Sequence, residues 1–354
     1  GKALGSSHRS STASMMLVAF AASALSFGGV LVKEMEVFGM VSTNVGFIRC
    51  LFAGIGLLVM AMVGPRFGYL SFIPTTEETG GGSGDSTWRR WLLAVSLAGF
   101  FYGTDLYFLY WSMEYIPSGF SAVVNHTQVF WVSMYSAYVM GERLSGEFKL
   151  CIIGALAGIL ILAYPSFSDE QVGSEKKSAG ELFLGTSLAI LSGLACGLYN
   201  ISFFQVSKIA RGLPIVCNRA LNVAAVCLMS ALTLLAFMWS EGRSPGLSVP
   251  RNLFPRPADY VVAQRELYLM AALLSFGVHI VGSLALSTAS VGLSPSVVSM
   301  MLLLSPALAE LWGVLFLQEP LGVLGIVGAI LALISIYYGG THAAPHAVSP
   351  STRD

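Results

Sequence analysis

The chain has 354 residues, of which 55% belong to the hydrophobic set and only 11% are charged, with a mean hydropathy of +0.72. A soluble domain carries about 25% charged residues, so this composition excludes an ordinary water-soluble globule and makes lipid the expected solvent. The 19 basic and 19 acidic residues cancel, which leaves no positive excess to neutralise phosphates and excludes nucleic acid as a partner.

A helix that crosses a bilayer needs roughly 20 mostly apolar residues. Taken in chain order, this predicts spans over 15–33, 40–63, 91–113, 119–140, 149–165, 183–206, 213–239, 267–287, 294–316 and 321–340. The expected fold is therefore all-α and integral to a membrane, with about ten transmembrane helices and disordered tails over 1–14 and 341–354. Ala19-Phe20-Ala21 resembles a small-residue cleavage site, but the first segment has a counterpart in the second half and is read as a span. The connections carry Gly64-Pro65-Arg66, a Gly/Ser/Thr linker over 75–87, Ile116-Pro117-Ser118-Gly119, the charged stretch 168–181 and the Pro/Arg-rich stretch 241–257. Cys50, Cys151, Cys196, Cys217 and Cys227 all fall in apolar runs, so they read as small hydrophobes rather than disulfide or metal positions. The sequons at Asn125 and Asn200 also lie in apolar runs, out of reach of glycosylation.

The two halves resemble each other. Gly141-Glu142-Arg143-Leu144 leads into an apolar helix with Gly154 and Gly158, and Gln318-Glu319-Pro320-Leu321 leads into another with Gly325 and Gly328. Ile116-Pro117-Ser118-Gly119 matches the region Gly292-Leu293-Ser294-Pro295, and Arg49 matches Arg219. This predicts a five-helix unit duplicated over 15–165 and 183–340. Because five is odd, the two copies lie inverted in the membrane, an arrangement that builds alternating access around a site at their interface. Basic residues in short connections favour one side, with Arg66, Arg89, Arg90, Arg143 and Lys208 among them, and place both termini in the cytosol. The membrane itself, plasma membrane or organelle, stays open.

Together these residues resemble the drug/metabolite transporter superfamily, and within it the EamA-type branch. The carriers are Val30-Leu31-Val32-Lys33, Phe47-Ile48-Arg49, the turn Met140-Gly141-Glu142-Arg143-Leu144, Ser305-Pro306 and Gln318-Glu319-Pro320. The second copy departs by having Pro320 where the first has Arg143, a residue suited to a first helical turn. The resemblance runs from about residue 15 to 340. It implies a ten-helix fold that moves a small metabolite through a central cavity.

A charge at the bilayer centre costs about 2.5–3.5 kcal/mol, so each one marks a partner or a watery cavity. Arg49, Asp105, Arg219 and Glu310 lie inside predicted spans, with His126 and His279. At 1.5 Å per helical residue, Arg49 and Asp105 fall at about 12 Å and His126 at about 10 Å below one membrane face. This predicts an Arg49–Asp105 ion pair that either serves transport or only pins two helices, with Asp105 or Glu310 able to take a proton. Arg219 reads as a snorkelling anchor or a ligand contact. Among the aromatics of 100–111, Tyr107, Tyr110 and Trp111 share a face; Tyr107 is expected on a cavity wall and Trp111 in the interfacial belt. Asn125 and His126, and Tyr199 and Asn200, are polar pairs of which one member each need see the cavity. Ser305-Pro306 frees a backbone carbonyl and makes either a hinge or a static bend. Gly154 and Gly158 indicate close helix packing, or a possible homodimer contact.

The expectation is thus a secondary transporter of a small polar or amphipathic molecule. No Walker, zinc-protease or nucleophile-elbow sequence is present, so no enzyme activity, cofactor or metal is expected. A membrane receptor or scaffold without flux is the alternative.

Overall fold

The computed structural model describes residues 2–63, 84–116, 118–173, 178–210, 219–243, 256–290, 293–318 and 322–341. Most of the 75–87 linker, Cys217, the turn residues Glu319, Pro320 and Leu321, and the tail from 342 lie outside them. Among the described residues every element is helical. In order they are α1 (Lys2–Val37), α2 (Ser42–Val63), α3 (Gly84–Met113), α4 (Ser118–Asn125), α5 (Gln128–Tyr138), α6 (Gly146–Gly173) and α7 (Ala179–Ala210). There follow α8 (Arg219–Ser240), α9 (Pro257–Ala272), a π-helical segment (Leu273–Ile280), α10 (Val281–Ala289), α11 (Pro295–Met301), α12 (Leu304–Phe316) and α13 (Val323–Thr341).

Among the described residues eight helical segments are long and apolar enough to cross a membrane: 12–37, 42–63, 87–113, 179–210, 219–240, 258–289, 295–316 and 323–341. The predicted span 149–165 lies within α6. The predicted span 119–140 differs from expectation, because it is interrupted at His126 and Thr127 between α4 and α5. α1 also starts at Lys2, so the helix occupies most of the expected N-terminal tail.

Left-handed residues stop several helices. Gly39 follows α1 with φ 79°, and Gly141 follows α5 with φ 74°. Gln318, which the sequence aligns with Gly141, follows α12 with φ 55° and is the one non-glycine residue with positive φ among those described. The same backbone bend at matched positions is made once by glycine and once by a residue that resists it.

The packing has a two-fold logic. α3 packs on α7, and α1 on α10; α4 and α5 pack on α7, and α11 and α12 on α1. α2 pairs with α8, and α6 with α13. Each contact has its counterpart when the first five predicted spans exchange with the last five. Small residues set the closest approaches: a Cβ on Gly158 would stand 2.5 Å from Ala332 N, and one on Gly328 would stand 2.5 Å from Gly158 O. The glycine face considered as a dimer contact is therefore occupied by α13 of the same chain. A core of Leu57, Trp91, Val95, Phe203, Val223 and Cys227 joins α2, α3, α7 and α8. Trp91 adds a bond from Nε1 to Asn222 Oδ1 at 2.8 Å.

Candidate functional site

A cavity of about 320 Å³ opens between α1, α2, α3, α4, α6 and α12. It lies toward the end of the bundle that carries the α1–α2 turn and the C-termini of α3 and α12. Helical spacing assembles its walls. Gly29, Lys33 and Glu36 line it from α1 at i, i+4 and i+7, and Pro306, Glu310 and Gly313 line it from α12 with the same rhythm. Gly29 leaves room, since a Cβ there would meet nothing within 4 Å. Arg49 enters from α2 and Tyr110 from α3, in a surround that is mostly aliphatic. Gly46 lets the Tyr110 ring rest on bare backbone, because a Cβ on Gly46 would lie 2.8 Å from Tyr110 Cε2.

Arg49 donates from Nη2 to the Tyr102 hydroxyl at 3.1 Å, and its Nε is buried without a partner. The expected Arg49–Asp105 ion pair is not formed: among the described residues Arg49 has no carboxylate within 4 Å. Asp105 is 4% exposed and is held by uncharged donors instead. Its Oδ1 accepts from Asn125 Nδ2 at 2.7 Å and from Ser192 Oγ at 2.6 Å, which joins α3, α4 and α7. A buried carboxylate can be satisfied by hydroxyl and amide donors as well as by a cation, so spacing within each span did not determine its partner.

An aromatic stack stands behind Arg49. Tyr102 lies 4.6 Å from Tyr199, ring to ring, and parallel to His279 at 6.0 Å. His279 is 2% exposed in the π-helical segment, with Nε2 3.4 Å from Cys227 Sγ, so it supports the stack and does not line the cavity. Asn200 donates to Gln128 Oε1 at 2.5 Å and lines the crevice between α7, α10 and α11 rather than the cavity. Tyr107, expected on the cavity wall, is turned to α8. It stacks on Phe237 at 4.4 Å and bonds Glu241, which pairs with Arg243 at 3.0 Å. Tyr110, one turn further on, takes the cavity position. Arg219 heads α8 outside the cavity.

The interruptions in the fourth and ninth predicted spans meet. Pro306 has no N–H to give the Leu302 carbonyl, which accepts instead from Ser305 N at 3.0 Å. His126, at the other interruption, keeps its ring on its own helix, with Nδ1 2.8 Å from Ala122 O. The Ser305-Pro306 step thus coincides with a break between α11 and α12, and Val123 and Val129, on either side of the α4–α5 break, pack with Met300 and Leu303 beside it.

Sequence reasoning therefore found Arg49 and Glu310 on the cavity, and Asp105, Asn125 and His126 just below it. It missed Lys33, Glu36, Tyr102 and Ser192. The spacing Gly29/Lys33/Glu36 was a usable signal, obscured because Lys33 had been assigned to a helix end.

Apolar helices that enclose a charged chamber define a multi-pass membrane protein. Residues 12–164 match the sequence model of the EamA-like transporter family, a family of the drug/metabolite transporter superfamily. A protein of known crystal structure superposes with a TM-score of 0.62 at 16% identity, over 94% of this chain and 97% of its own. That likeness extends the shared fold across both halves. A comparison with curated protein sequences gives no match.

Proposed function

We propose that the protein is a secondary transporter that moves a small polar or amphipathic molecule across a membrane by alternating access. In this reading ten spans form two inverted five-helix repeats, and both termini face the cytosol. The exchange of packing partners between halves supports the repeat, as do the matched bends at Gly141 and Gln318. Eight of the ten spans already satisfy length and hydropathy.

The observation that carries the reading is the one-sided chamber. It has about 320 Å³ toward one end, whereas the crevice between α7, α10 and α11 toward the other has about 20 Å³. A substrate site exposed to one side at a time is the requirement of alternating access. Within the chamber Arg49 is a partly buried cation without a carboxylate partner among the described residues, and its planar fork suits an oxyanion on the substrate. Lys33, Glu36 and Glu310 add charges of both signs, and the aliphatic walls suit an apolar body.

The test is flux of labelled metabolites into proteoliposomes, with candidates chosen by thermal-shift screening, since a binder stabilises the folded state by mass action. Uptake that Arg49→Gln abolishes is the expected result. A metabolite that stabilises the protein yet never crosses the bilayer overturns transport in favour of a receptor or scaffold.

A further inference from the structure

At the end of the bundle opposite the chamber, one carboxyl joins the two halves of the chain. Glu142 sits in the turn between α5 and α6, is 8% exposed, and accepts from Ser296 Oγ of α11 at 2.8 Å across 154 residues of sequence. The turn is held in place, since Glu142 N–H donates to Ser136 O at 3.0 Å and Gly141 takes φ 74°. The Ser136 and Ser294 hydroxyls, one from each half, are buried beside it and make no hydrogen bond of their own. One acidic group is thus ringed by hydroxyls of both halves, beside the pinched crevice that Pro295, Val298 and Ser299 of α11 help to line.

Among the described residues no cation pairs with it. α11 carries no ionisable residue, and the neighbouring Arg143, Glu147 and Lys149 are exposed to solvent. The ordinary way to hide an unpaired carboxyl is to keep its proton, and the protonated form both donates to and accepts from hydroxyls.

We propose that Glu142 is a proton-operated latch that keeps this end of the bundle closed by clasping the α5–α6 turn to the start of α11. The latch rests on the alternating-access reading for its role, but its action is read without substrate. Burial raises the Glu142 carboxyl above its ordinary 4.5, with the serine hydroxyls opposing. A carboxyl raised in the closed form and ordinary in an open, hydrated form makes closure take up a proton. Closure is therefore favoured fully below pH 4.5 and loses that contribution as pH rises through the elevated value. Deprotonation releases the latch because the charged form seeks water.

Hydrogen exchange of the native protein in lipid nanodiscs tests this, read as protection of the 293–301 peptide corrected for intrinsic exchange. Protection is expected to fall as pH rises, by at most about tenfold per pH unit, the limit for one proton. Glu142→Gln, a neutral mimic of the protonated form, is expected to keep high protection with no pH dependence. Ser296→Ala keeps the carboxyl and loses the clasp, so its protection is lower at every pH; thermal unfolding of each variant measures folding separately. A native-like pH slope in Glu142→Gln, or a 293–301 peptide already unprotected at low pH, overturns the latch. A protein that shows the expected pattern but carries no flux keeps the latch and loses transport, and flux with a flat profile does the reverse.

Discussion

Replacing Arg49 by Met removes the guanidinium while keeping most of the side chain's length and apolar stem. In the empty protein Arg49 Nε is buried without a partner and Nη2 has one bond, to the Tyr102 hydroxyl at 3.1 Å. A buried unsatisfied donor costs about 1–3 kcal/mol and a hydrogen bond contributes about 1 kcal/mol. Their difference makes Arg49→Met stabilising by about 0–2 kcal/mol in the empty protein. With substrate bound the balance reverses, because two charge-assisted bonds from the fork to an oxyanion are worth about 1.5–3 kcal/mol each. Losing them weakens binding by about 10²–10⁴-fold. The assay is unfolding in nanodiscs with and without each metabolite of the screen. Higher stability alone and no gain with ligand is the expected pair of results. If Arg49→Met instead destabilises the empty protein by more than about 2 kcal/mol, Arg49 is a structural pin. A ligand response equal to that of the native protein would show that the guanidinium never meets substrate.

Gly158→Ala and Gly328→Ala each place a methyl 2.5 Å from backbone atoms of the facing helix. Each is expected to cost about 1–3 kcal/mol in thermal unfolding, with the double variant costing less than the sum because one separation of α6 from α13 accommodates both. Asp105→Asn retains the Oδ1 acceptor for Asn125 and Ser192 and is expected to unfold within about 1 kcal/mol of the native protein. Asp105→Leu strands both donors and is expected to cost more than about 2 kcal/mol. If Asp105→Asn also leaves the pH dependence of uptake unchanged, Asp105 has no part in proton coupling. Gln318→Gly relieves a left-handed backbone at φ 55° and is expected to stabilise by about 1 kcal/mol, while no change in unfolding would mean that the bend is not strained.

The helices were legible in the sequence because solvation in lipid imposes long apolar runs, a constraint that acts on each span separately. Partner choice was less legible because it depends on how spans are rotated against one another. Tyr107 and Tyr110 differ by one helical turn, and only the position of α8, with Phe237 and Glu241, decides that Tyr107 faces α8 and Tyr110 the chamber. Helix spacing gives Arg49 and Asp105 the same depth, but they face different neighbours, so equal depth does not make a pair. Pro306 announced the interruption of the ninth predicted span. Nothing comparable announces the one at His126 and Thr127, where the run Val123–Val132 holds neither Pro nor Gly. That break is stabilised from outside: Gly193 of α7 lets the Val124 and Asn125 carbonyls come so close that a Cβ there would lie 3.1 and 2.9 Å from them.

The two interruptions give the proposed cycle its fulcrum. An exchange of access between ends needs one contact between the halves that persists while those at either end alternate. The ends are poorly suited to that role, since a chamber whose cation awaits a ligand and a latch whose acid changes charge both vary in strength during turnover. The paired breaks at His126–Thr127 and Leu302–Leu303 lie between them, packed through Val123, Val129, Met300 and Leu303. These packed side chains carry no titratable group, and their position is set by two broken helices rather than by a flexible side chain. In the proposed cycle, rotation of one half about this point is what would open the Glu142 clasp as it closes the walls of the chamber around Arg49 and Glu310, coupling the two sites by geometry without any side chain passing between them.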